Sequence, residues 1–416
     1  MKLENLRLRL RLSAIESELL QLETPSSSSS NRRFSPRLKE ERQRRLMKER
    51  ITIQQSLHLI VYPILTIPVE LTSEIFLHCL PVDPAQPNAR LAPLLLGRIC
   101  RVWRNIAYTD PKLWASLGLR IWGRKGLKLG VEDWLRRAGS VPLALSLVFP
   151  FSHCPFFKSF HCGFHPSSLL LSDNWGRLTS LRGENFAYTD CLALFVHAPR
   201  LIRCELVSIF GYLPPPPATH ILLNDLEDLS LTTDGPSTCL LSSLLDSLAV
   251  PKLRALRLVC TFYLFPENPF LSFLQRFTVI QTFSVQSRGS PDYGFLTTIL
   301  DAMPTLISFE LRLLYSATIV FDILRLLNDS TTFLPRVQKL LFSITQSVTW
   351  EDSFTPILID ALSSRSEAKP GTTRLVDFRF LFNPVAQLDA QISGCVSKMK
   401  GKEMRIYVGS VAGMLL

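Results

Sequence analysis

Residues 251–260, PKLRALRLVC, carry the pattern that decides the fold of this chain. Its leucines Leu253, Leu256 and Leu258 are spaced apolar-x-x-apolar-x-apolar. The alternation of apolar and polar residues at the end of the pattern predicts a strand with one buried face. Pro251 marks the end of a preceding helical run, because proline disfavours helical continuation. A helix followed by a short strand is therefore the predicted structural unit.

The same spacing recurs through the chain after residue 178. Successive copies begin 23, 25, 27, 27, 26, 31 and 38 residues apart. Most of these steps fall within the period of about 20–29 residues that is typical of leucine-rich repeats. The asparagine that often follows the strand in regular repeats is absent, so we predict irregular turns. Besides the quoted unit, the copies are Leu201-Cys204-Leu206, Leu226-Leu229-Leu231, Ile280-Phe283-Val285, Leu306-Phe309-Leu311, Val337-Leu340-Phe342, Leu375-Phe378-Phe380 and the partial copy Leu178-Leu181.

Helix-like runs separate the predicted strands, for example CLLSSLLDSL (239–248) and ATIVFDILRLL (317–327). A single strand–helix unit cannot bury its own apolar face, and units stacked side by side form a solenoid that buries all of them. We therefore predict a leucine-rich-repeat-like α/β solenoid over residues 141–416. The alternating strand VPLALSLVF (141–149) opens it, and the tail EMRIYVGSVAGMLL (403–416) forms a final strand or cap.

The residues between the apolar strand positions form the predicted concave, target-binding face of the solenoid. They share neither a single charge nor an aromatic cage, so the sequence predicts a protein-binding surface without identifying its target. These residues are Arg203 and Glu205, Asp228 and Ser230, Arg254, Ala255 and Arg257, Thr282 and Ser284, Ser308 and Glu310, and Gln338 and Lys339.

The composition indicates a folded chain without a membrane span. Of its 416 residues, 47% are hydrophobic and 19% are charged, which is ample for a buried core. Apolar stretches such as 59–65 are shorter than the about 18–20 residues that cross a bilayer, and the N-terminus lacks the apolar core of a secretory signal. Nine scattered cysteines without a CxxC motif favour free thiols in a reducing compartment. We expect a protein of the cytoplasm or nucleus.

The net charge of +11 is concentrated near the N-terminus. Residues 1–60 hold 13 Lys/Arg against 7 Asp/Glu, residues 61–140 hold 11 against 6, and residues 141–416 hold 22 of each. The basic cluster at Arg42, Arg44 and Arg45 leaves a nucleic-acid-associated function open as an alternative. The glutamates interleaved with these arginines favour a solvated helix face, so a nucleic-acid partner is the less favoured interpretation.

Residues 1–62 are predicted to form a helical lead-in with a Ser-rich break at residues 26–30. Leu8, Leu12, Ile15, Leu19 and Leu22 are spaced as one helical seam, and a second helix over residues 36–60 continues this register with Leu46, Ile53, Leu57 and Ile60. The two helices can pair with each other as a hairpin, or pair with another chain as a coiled coil. The sequence leaves both arrangements open.

Residues 63–117 are predicted to form a small helical docking module. Pro68 suits the first turn of a helix that runs to Pro81. An exposed proline-rich loop follows over residues 81–93, and a second helix begins near Leu94. Asp110-Pro111 is an N-cap followed by a first-turn proline, which opens a third short helix. A three-helix unit of this size buries little surface, so its extra apolar residues indicate that a partner completes it.

The order of residues in this module resembles an F-box. It shows an aliphatic residue followed by Pro-x-Glu-Leu-x-x-x-Ile-Phe (67–76), then Cys-Arg-x-Trp-Arg (100–104), then Pro-x-Leu-Trp (111–114). It is most similar to the F-box-like proteins abundant in mushroom-forming fungi, in which a helical lead-in ends in tyrosine-proline, as Tyr62-Pro63 does here. The proline-rich insert lengthens the first loop relative to a compact F-box. The resemblance covers about 55 residues of the chain.

This resemblance implies binding to the Skp-type adaptor of an SCF (Skp–cullin–F-box) ubiquitin ligase. By position in the motif, a set of mostly apolar residues would face the adaptor or the small core of the module. These residues are Leu65, Pro68, Leu71, Ile75, Phe76, Leu95, Ile99, Cys100, Trp103, Leu113 and Trp114. Arg98, Arg101 and Arg104 lie mostly outside this apolar stripe and suit a solvated or adaptor-rim position. Residues 118–140 are predicted to be a linker containing a short helix over residues 131–138.

Sequence motifs of catalysis are absent: there is no Walker loop, GxGxxG, HExxH, GxSxG or EF-hand loop. A cluster of histidines and cysteines at residues 153–165 (His153, Cys154, His161, Cys162, His165) has no known finger spacing, and its interleaved phenylalanines favour a partly buried loop over a zinc site. We therefore predict a non-catalytic recruitment subunit without a cofactor or metal, which binds an unknown target protein. A repeat scaffold without ligase linkage is the further alternative.

Overall fold

The computed structural model describes most of the chain and belongs to the α/β class. Its residue contacts divide the chain into two compact units, residues 1–78 and 79–416, and the predicted docking module is divided between them. The described residues are 2–23, 36–58, 63–120, 128–149, 174–211, 220–233, 239–260, 267–276, 279–287, 293–314, 318–347, 354–367, 370–383 and 404–410.

The first unit contains a hairpin of two helices, α1 (Lys2–Glu23) and α2 (Pro36–His58). Its core is formed by the residues of the predicted seam: Ile15, Leu19, Leu46 and Ile53 are buried, with Leu8, Leu12, Leu22 and Leu57 packed against them. Ion pairs join Arg11 to Glu49 at 2.7 Å and Arg42 to Glu18 at 3.2 Å. These crossed pairings show that the helices are antiparallel. The predicted apolar seam therefore packs between two helices of the same chain. Ile60 lies outside the described residues.

The remainder of this unit leads into α3 (Val69–His78). A short 3₁₀ turn over Pro63–Leu65 precedes it. Pro68 occupies the start of the helix, and its carbonyl accepts from both the backbone N–H of Thr72 at 3.0 Å and the Thr72 hydroxyl at 3.1 Å. The first of these is the ordinary bond between residues four apart in a helix, so the helix begins at this proline, as the sequence predicted.

The second unit begins with two helices where the sequence predicted one. These are α4 (Leu96–Ile99) and α5 (Arg101–Thr109). Cys100 separates them because its backbone is extended, with φ −154° and ψ 171°. Its Sγ accepts a hydrogen bond from the Trp103 backbone N–H at 3.4 Å and so caps α5. The prediction of a continuous helix from Leu94 was therefore wrong at this residue.

The predicted cap at Asp110-Pro111 is present. The Asp110 carboxylate accepts from the Lys112 N–H at 3.0 Å and opens a 3₁₀ turn over Pro111–Trp114. The chain then enters the sheet directly, whereas the sequence predicted a linker from residue 118. Leu117 and Leu119 show the alternation of a short strand. The sequence prediction missed this strand because it assigned Leu117 to the helical module.

Among its described residues, the second unit also contains a sheet of eleven strands, all parallel and arranged in chain order. Its strands are β1 (Ser116–Arg120), β2 (Leu143–Val148), β3 (Leu178–Glu184), β4 (Arg203–Ile209), β6 (Asp228–Thr233), β8 (Ala255–Cys260), β9 (Thr282–Ser287), β10 (Ser308–Leu313), β11 (Lys339–Ser347), β12 (Asp377–Asn383) and β13 (Arg405–Ser410). Two short strands, β5 (Ile221–Leu222) and β7 (Leu248–Ala249), pair separately.

Seven of the described helices lie between strands along the chain. They are α6 (Lys128–Ala138), α7 (Tyr188–His197), α8 (Cys239–Asp246), α9 (Glu267–Arg276), α10 (Tyr293–Asp301), α11 (Thr318–Asp329) and α12 (Phe354–Ser364). Consecutive helices touch from α7 to α12. Crossovers between neighbouring parallel strands are right-handed as a rule, so strands that always advance in one direction place their helices on the same side. We call the opposite side, on which strand side chains such as Arg203 and Arg257 are exposed, the open face.

The apolar triplets of the sequence are aligned by the strand register. The middle residue of each triplet belongs to one ladder across the sheet, and the last residue belongs to a second ladder. The first ladder is Leu117, Leu145, Leu181, Cys204, Leu229, Leu256, Phe283, Phe309, Leu340, Phe378 and Ile406. Its neighbouring rings pack closely, with Phe283 and Phe309 stacked at 6.1 Å.

The second ladder contains one gap, at Gly183, between Leu147 and Leu206. A Cβ at this glycine would lie 2.5 Å from the Phe186 ring and 2.8 Å from Leu206. The ring of the buried Phe186 therefore fills the space that a larger side chain occupies in the other strands. The sequence pattern alone could not show this exchange, because the filling residue lies outside the strand.

A backbone motif repeats at the start of the strands. One carbonyl of each unit accepts two N–H groups from consecutive residues of the next unit, at 2.8 to 3.1 Å. For example, the Glu227 carbonyl accepts from the N–H groups of Arg254 and Ala255. The accepting residues are Ile202, Glu227, Arg254, Gln281, Ile307 and Gln338. Repeated units of unequal length thus share one backbone geometry at the N-terminal ends of their strands.

The proline-rich segment 81–93, predicted to be an exposed loop, is exposed along most of its length but also covers the free edge of β1. The Gly118 N–H donates to the Ala85 carbonyl at 2.9 Å. A Cβ at Gly118 would lie 2.6 Å from the Pro84 carbonyl oxygen, so only glycine allows this approach. An edge strand offers unpaired backbone groups to other chains, and this loop occupies part of that edge.

Asp190, in the first turn of α7, has an unusual environment. It is partly buried, and no side-chain hydrogen bond to its carboxylate is seen among the described residues. Burial raises its pKa from 3.8 to about 7, because removal from water disfavours the charged form. The folded state therefore favours the neutral acid. Its stabilising contribution is fully present below pH 3.8 and is lost as the pH rises through about 7.

We expect Asp190→Asn to remove this pH dependence. Relative to the native chain, the variant should gain about 1–2 kcal/mol of stability between pH 5 and pH 8.5, since partial exposure lets water screen part of the penalty. Urea unfolding at both pH values measures the difference. Glu132→Gln, on the exposed side of α6, is the control. An Asp190→Asn stability difference that does not change with pH would contradict the expected result.

Candidate protein-docking surfaces

The first docking surface, defined as Ile64, Leu65, Val69, Leu71 and Ile75, lies in the first unit. Leu71 and Ile75 follow each other at helical spacing on α3 and are 58% and 46% exposed. Thr72 and Phe76, one residue further along, are buried. The helix thus buries one side and leaves aliphatic side chains on another side in water. Pro68, another predicted site residue, is also exposed.

The second docking surface, defined as Leu95, Ile99 and Val102, lies in the second unit. Leu95 and Ile99 are 41% and 54% exposed, and Val102 is exposed to a similar degree. Cys100 and Trp103, both predicted site residues, are half-buried. The break at Cys100 places these side chains on two successive short helices. Each surface, taken by itself, shows the feature that typically marks a protein interaction site, which is clustered exposed aliphatic residues.

Three predicted site residues belong to the protein interior. Phe76, Leu113 and Trp114 are each no more than 1% exposed. The resemblance placed each of these residues against the adaptor or in the small core. In the folded chain these three are interior, so they are removed from the adaptor-binding set. Conversely, the sequence prediction omitted Ile64, Val69 and Val102, which are exposed. Helical spacing identified the apolar residues but not which of them the rest of the chain would cover.

Trp114 is the centre of the aromatic core behind the second surface. Its indole Nε1–H donates to the Ala107 carbonyl at 2.8 Å. Its ring makes edge-to-face contacts with Tyr108 at 5.6 Å and Trp134 at 4.7 Å. The Arg137 guanidinium lies 4.3 Å from the Tyr108 ring and 4.5 Å from the Trp114 ring, a favourable cation–π geometry. This core fixes α5 against α6.

The arginines of this region are at its rim. Arg98, Arg101 and Arg104 are all exposed. Arg104 donates through Nε to the Gly97 carbonyl at 2.7 Å and so caps the end of α4. Arg98 donates to the Ala89 carbonyl of the proline-rich segment at 3.4 Å. These contacts agree with a position outside the apolar stripe.

Most of the residues predicted for the target-binding face are exposed or partly exposed on the open face, but Ser284 is buried, at 5% exposure, and is corrected to an interior position. In β8, for example, Arg257 is exposed between the buried Leu256 and Leu258. Ion pairs join Arg182 to Glu205 at 3.6 Å and Arg379 to Asp377 at 2.9 Å, and Arg312 also pairs with Glu310. Cations and anions therefore alternate on this face, which has no dominant sign of charge.

Asp228, on the same face, shows how these charges interact. Burial raises the pKa of its carboxyl, while Arg203 and Arg257 on the flanking strands act in the opposite direction. The residue remains exposed and lies on the strand between those that carry the two arginines. Local charge pairs of this kind favour a partner with complementary mixed charge over a uniformly anionic polymer.

Potential metal ligands are scattered in the part of the chain that the structure describes. No group of three or more potential metal ligands occurs there, and the predicted histidine–cysteine cluster at residues 153–165 lies outside it. Cys79, Cys100, Cys191, Cys204 and Cys260 are free thiols. Burial raises the pKa of Cys191 and Cys204, and raises that of Cys260 to about 12, which makes these three thiols unreactive.

A small cavity lies between the proline-rich segment, β1 and α6. It has a volume of about 20 Å³ and is lined by Gln86, Ser116 and Trp134 among others. This space accommodates a water molecule but not an organic substrate, since ligand pockets are typically about 300–1,000 Å³.

None of the described helices has the length and apolar character needed to cross a membrane. No protein-family model matches this chain, and comparison with curated proteins gives no match.

Proposed function

We propose that this chain is the substrate-recruitment subunit of an SCF-type ubiquitin ligase. Residues 63–117 act as an F-box-like module that binds a Skp-type adaptor, and the sheet region acts as a leucine-rich-repeat-like solenoid that binds a target protein. The chain itself performs no chemistry. By holding the target near the cullin-bound transfer machinery, it raises the effective concentration of the reacting groups. Such a complex operates in the cytoplasm or nucleus.

The observation that carries the proposal is the division of the motif residues into exposed and buried sets. Leu71, Ile75, Leu95 and Ile99 are exposed, whereas Phe76, Leu113 and Trp114 are interior. Because these side chains are about half exposed, burial of each one by a partner should contribute about 1 kcal/mol. In each of the two units, the residues that carry the resemblance therefore supply both interior side chains and exposed apolar side chains that a second protein could cover.

The strand order supports the assignment of the target-binding region. Parallel strands in chain order, aligned apolar ladders and a recurring backbone motif are the features expected of stacked repeat units. In repeat proteins the long exposed face offers an extended binding surface. Here that face is the open side of the sheet, with its alternating arginines and carboxylates. Its mixed charge favours a folded or mixed-charge protein target.

Surface substitutions test adaptor binding. The full chain should co-purify with a Skp-type adaptor, and Leu71→Glu with Ile75→Glu should weaken binding by about tenfold or more, because charges would be buried at the interface. Leu95→Glu with Ile99→Glu should have a similar effect. Val196→Glu, at an exposed residue of α7 outside the module, should bind as the native chain does.

Circular dichroism of each variant distinguishes lost binding from lost folding. All of the substituted residues are exposed, so we expect native helix content. Failure of the native chain to bind the adaptor, or native-like binding by both double variants, would refute the ligase assignment.

A further inference from the structure

Helix α1 has two apolar faces on opposite sides. One face, containing Ile15 and Leu19, is covered by α2. The other contains Leu6, Leu10 and Leu20, which are 57%, 64% and 64% exposed. A rotation of about 100° per residue places these leucines in one row with Ser13 and Ser17, opposite the covered face. We call Leu6, Leu10, Ser13, Ser17 and Leu20 the outer row.

The outer row has the form of a helix-packing surface. Its ends are leucines, and its middle consists of small side chains. The Ser17 hydroxyl donates to the Ser13 carbonyl at 2.9 Å, so this polar group is satisfied within the helix and its burial costs little. Small residues at the middle let a second helix approach closely, while the leucines on either side fill the flanking grooves.

Charge along α1 indicates which helix fits. Residues 2–11 contain four basic residues and one acidic residue, whereas residues 12–23 contain three acidic residues and no basic residue. Two copies of α1 in antiparallel orientation place the basic half of each beside the acidic half of the other. A parallel arrangement would place like charges together.

We propose that a second copy of this chain docks on the outer row through an antiparallel α1–α1 contact centred on Ser13. A two-fold axis at Ser13 places Leu6 of one copy opposite Leu20 of the other. It also brings Arg9 of one copy near Glu16 of the other, since both flank the outer row on the same side. The contact is isologous, so each such pair occurs twice.

This contact is compatible with the hairpin within each chain. The ion pairs between Arg11 and Glu49 and between Arg42 and Glu18 join α1 to α2 and remain intact. A helix of 22 residues is about 33 Å long, and three leucines per copy form a small interface. Interfaces of this size are at the weak end of specific association, so the dimer depends on concentration.

Analytical ultracentrifugation of the full chain over a range of concentrations tests the contact. The native chain should show a monomer–dimer equilibrium. Leu10→Glu with Leu20→Glu should weaken dimerisation by about a hundredfold or more, because two charges per copy would enter the interface. Leu38→Glu with Ile51→Glu is the matched control, since both residues are similarly exposed but lie on α2. It should dimerise as the native chain does.

Charge exchange tests the antiparallel orientation. Arg9→Glu alone and Glu16→Arg alone should each weaken self-association, because both symmetric pairs become repulsive. An equimolar mixture of the two variants should associate as well as the native chain, since every pair in the mixed dimer is again of opposite charge. Circular dichroism should show unchanged helix content.

A native chain that remains monomeric at all concentrations would overturn the proposal. So would a dimer that persists in Leu10→Glu with Leu20→Glu, or a variant mixture that associates no better than the single variants. The test does not depend on the ligase assignment, because adaptor binding and self-association use different residues and are measured separately.

Discussion

Replacement of Arg365 by methionine is expected to lower the free energy of unfolding by about 3–5 kcal/mol. Arg365 follows α12 and is only 4% exposed. Its guanidinium donates to four backbone carbonyls: Leu327 at 3.1 Å, Ser330 at 2.9 Å, Phe333 at 2.8 Å and Leu334 at 3.4 Å. These carbonyls terminate α11 and form the turn after it. A methionine would leave them without the donors that now satisfy them in the interior.

The charge of Arg365 is balanced by carbonyl dipoles, and none of these four partners is a carboxylate. The C-terminus of α11 has negative partial charge, which favours a cation at this position. Burial lowers the pKa of Arg365 from its ordinary value, yet a guanidinium remains charged at any physiological pH. We expect Arg365→Lys to recover part of the lost stability, because an ammonium reaches fewer of the four oxygens.

Urea unfolding followed by tryptophan fluorescence measures this effect. Arg325→Met is the control: Arg325 is 53% exposed and pairs with Asp322 at 3.7 Å, so its loss should cost less than about 1 kcal/mol. Amide exchange should also be faster at residues 330–334 in the Arg365→Met variant. Equal stability of the two variants would show that the carbonyl cluster does not depend on Arg365.

The second large effect is expected for Trp114→Ala, at about 3–5 kcal/mol. The substitution removes a fully buried side chain, its edge-to-face contacts and its hydrogen bond to the Ala107 carbonyl. Trp114→Phe retains much of the ring volume but leaves this carbonyl without its donor, and should cost about 1–2 kcal/mol. Thermal unfolding followed by circular dichroism gives both values.

Val102→Ala is the matched control for Trp114→Ala, because Val102 is exposed. It should change stability by less than about 0.5 kcal/mol. The comparison also separates folding from docking. Loss of adaptor binding in Trp114→Ala should follow its loss of structure, whereas Leu71→Glu with Ile75→Glu should lose binding while folded. A stable Trp114→Ala variant would contradict the assignment of this tryptophan to the core.

Much of the sheet region could be predicted because its physical cause is local. An apolar triplet such as Leu253-Leu256-Leu258 specifies a short strand with one buried face, and its recurrence specifies the neighbouring strands. The unequal steps between triplets did not obscure the register. The shared backbone motif absorbs variation in length outside the strands, so the apolar residues still align.

The docking module was predicted less completely, because burial depends on residues distant in sequence. Leu71 and Phe76 are similar as sequence signals, but one is exposed and the other buried. Cys100 showed no sign of an extended backbone, since its neighbours have helical spacing. Arg365 was missed for a related reason: it lies in a polar segment, and its partners are carbonyls 31 to 38 residues earlier. Hydrogen bonds to backbone carbonyls cannot be predicted from the pattern of side chains in a sequence.

The chain order of the eleven strands bears on how this protein is made. Each strand pairs only with its immediate predecessor and successor in the sheet. When a strand leaves the ribosome, the edge that it needs has already been synthesised. Assembly can therefore advance from the N-terminal end without waiting for distant segments. Strand β1 is a suitable starting point for this assembly. The proline-rich segment covers part of one edge of β1, and the other edge pairs with β2.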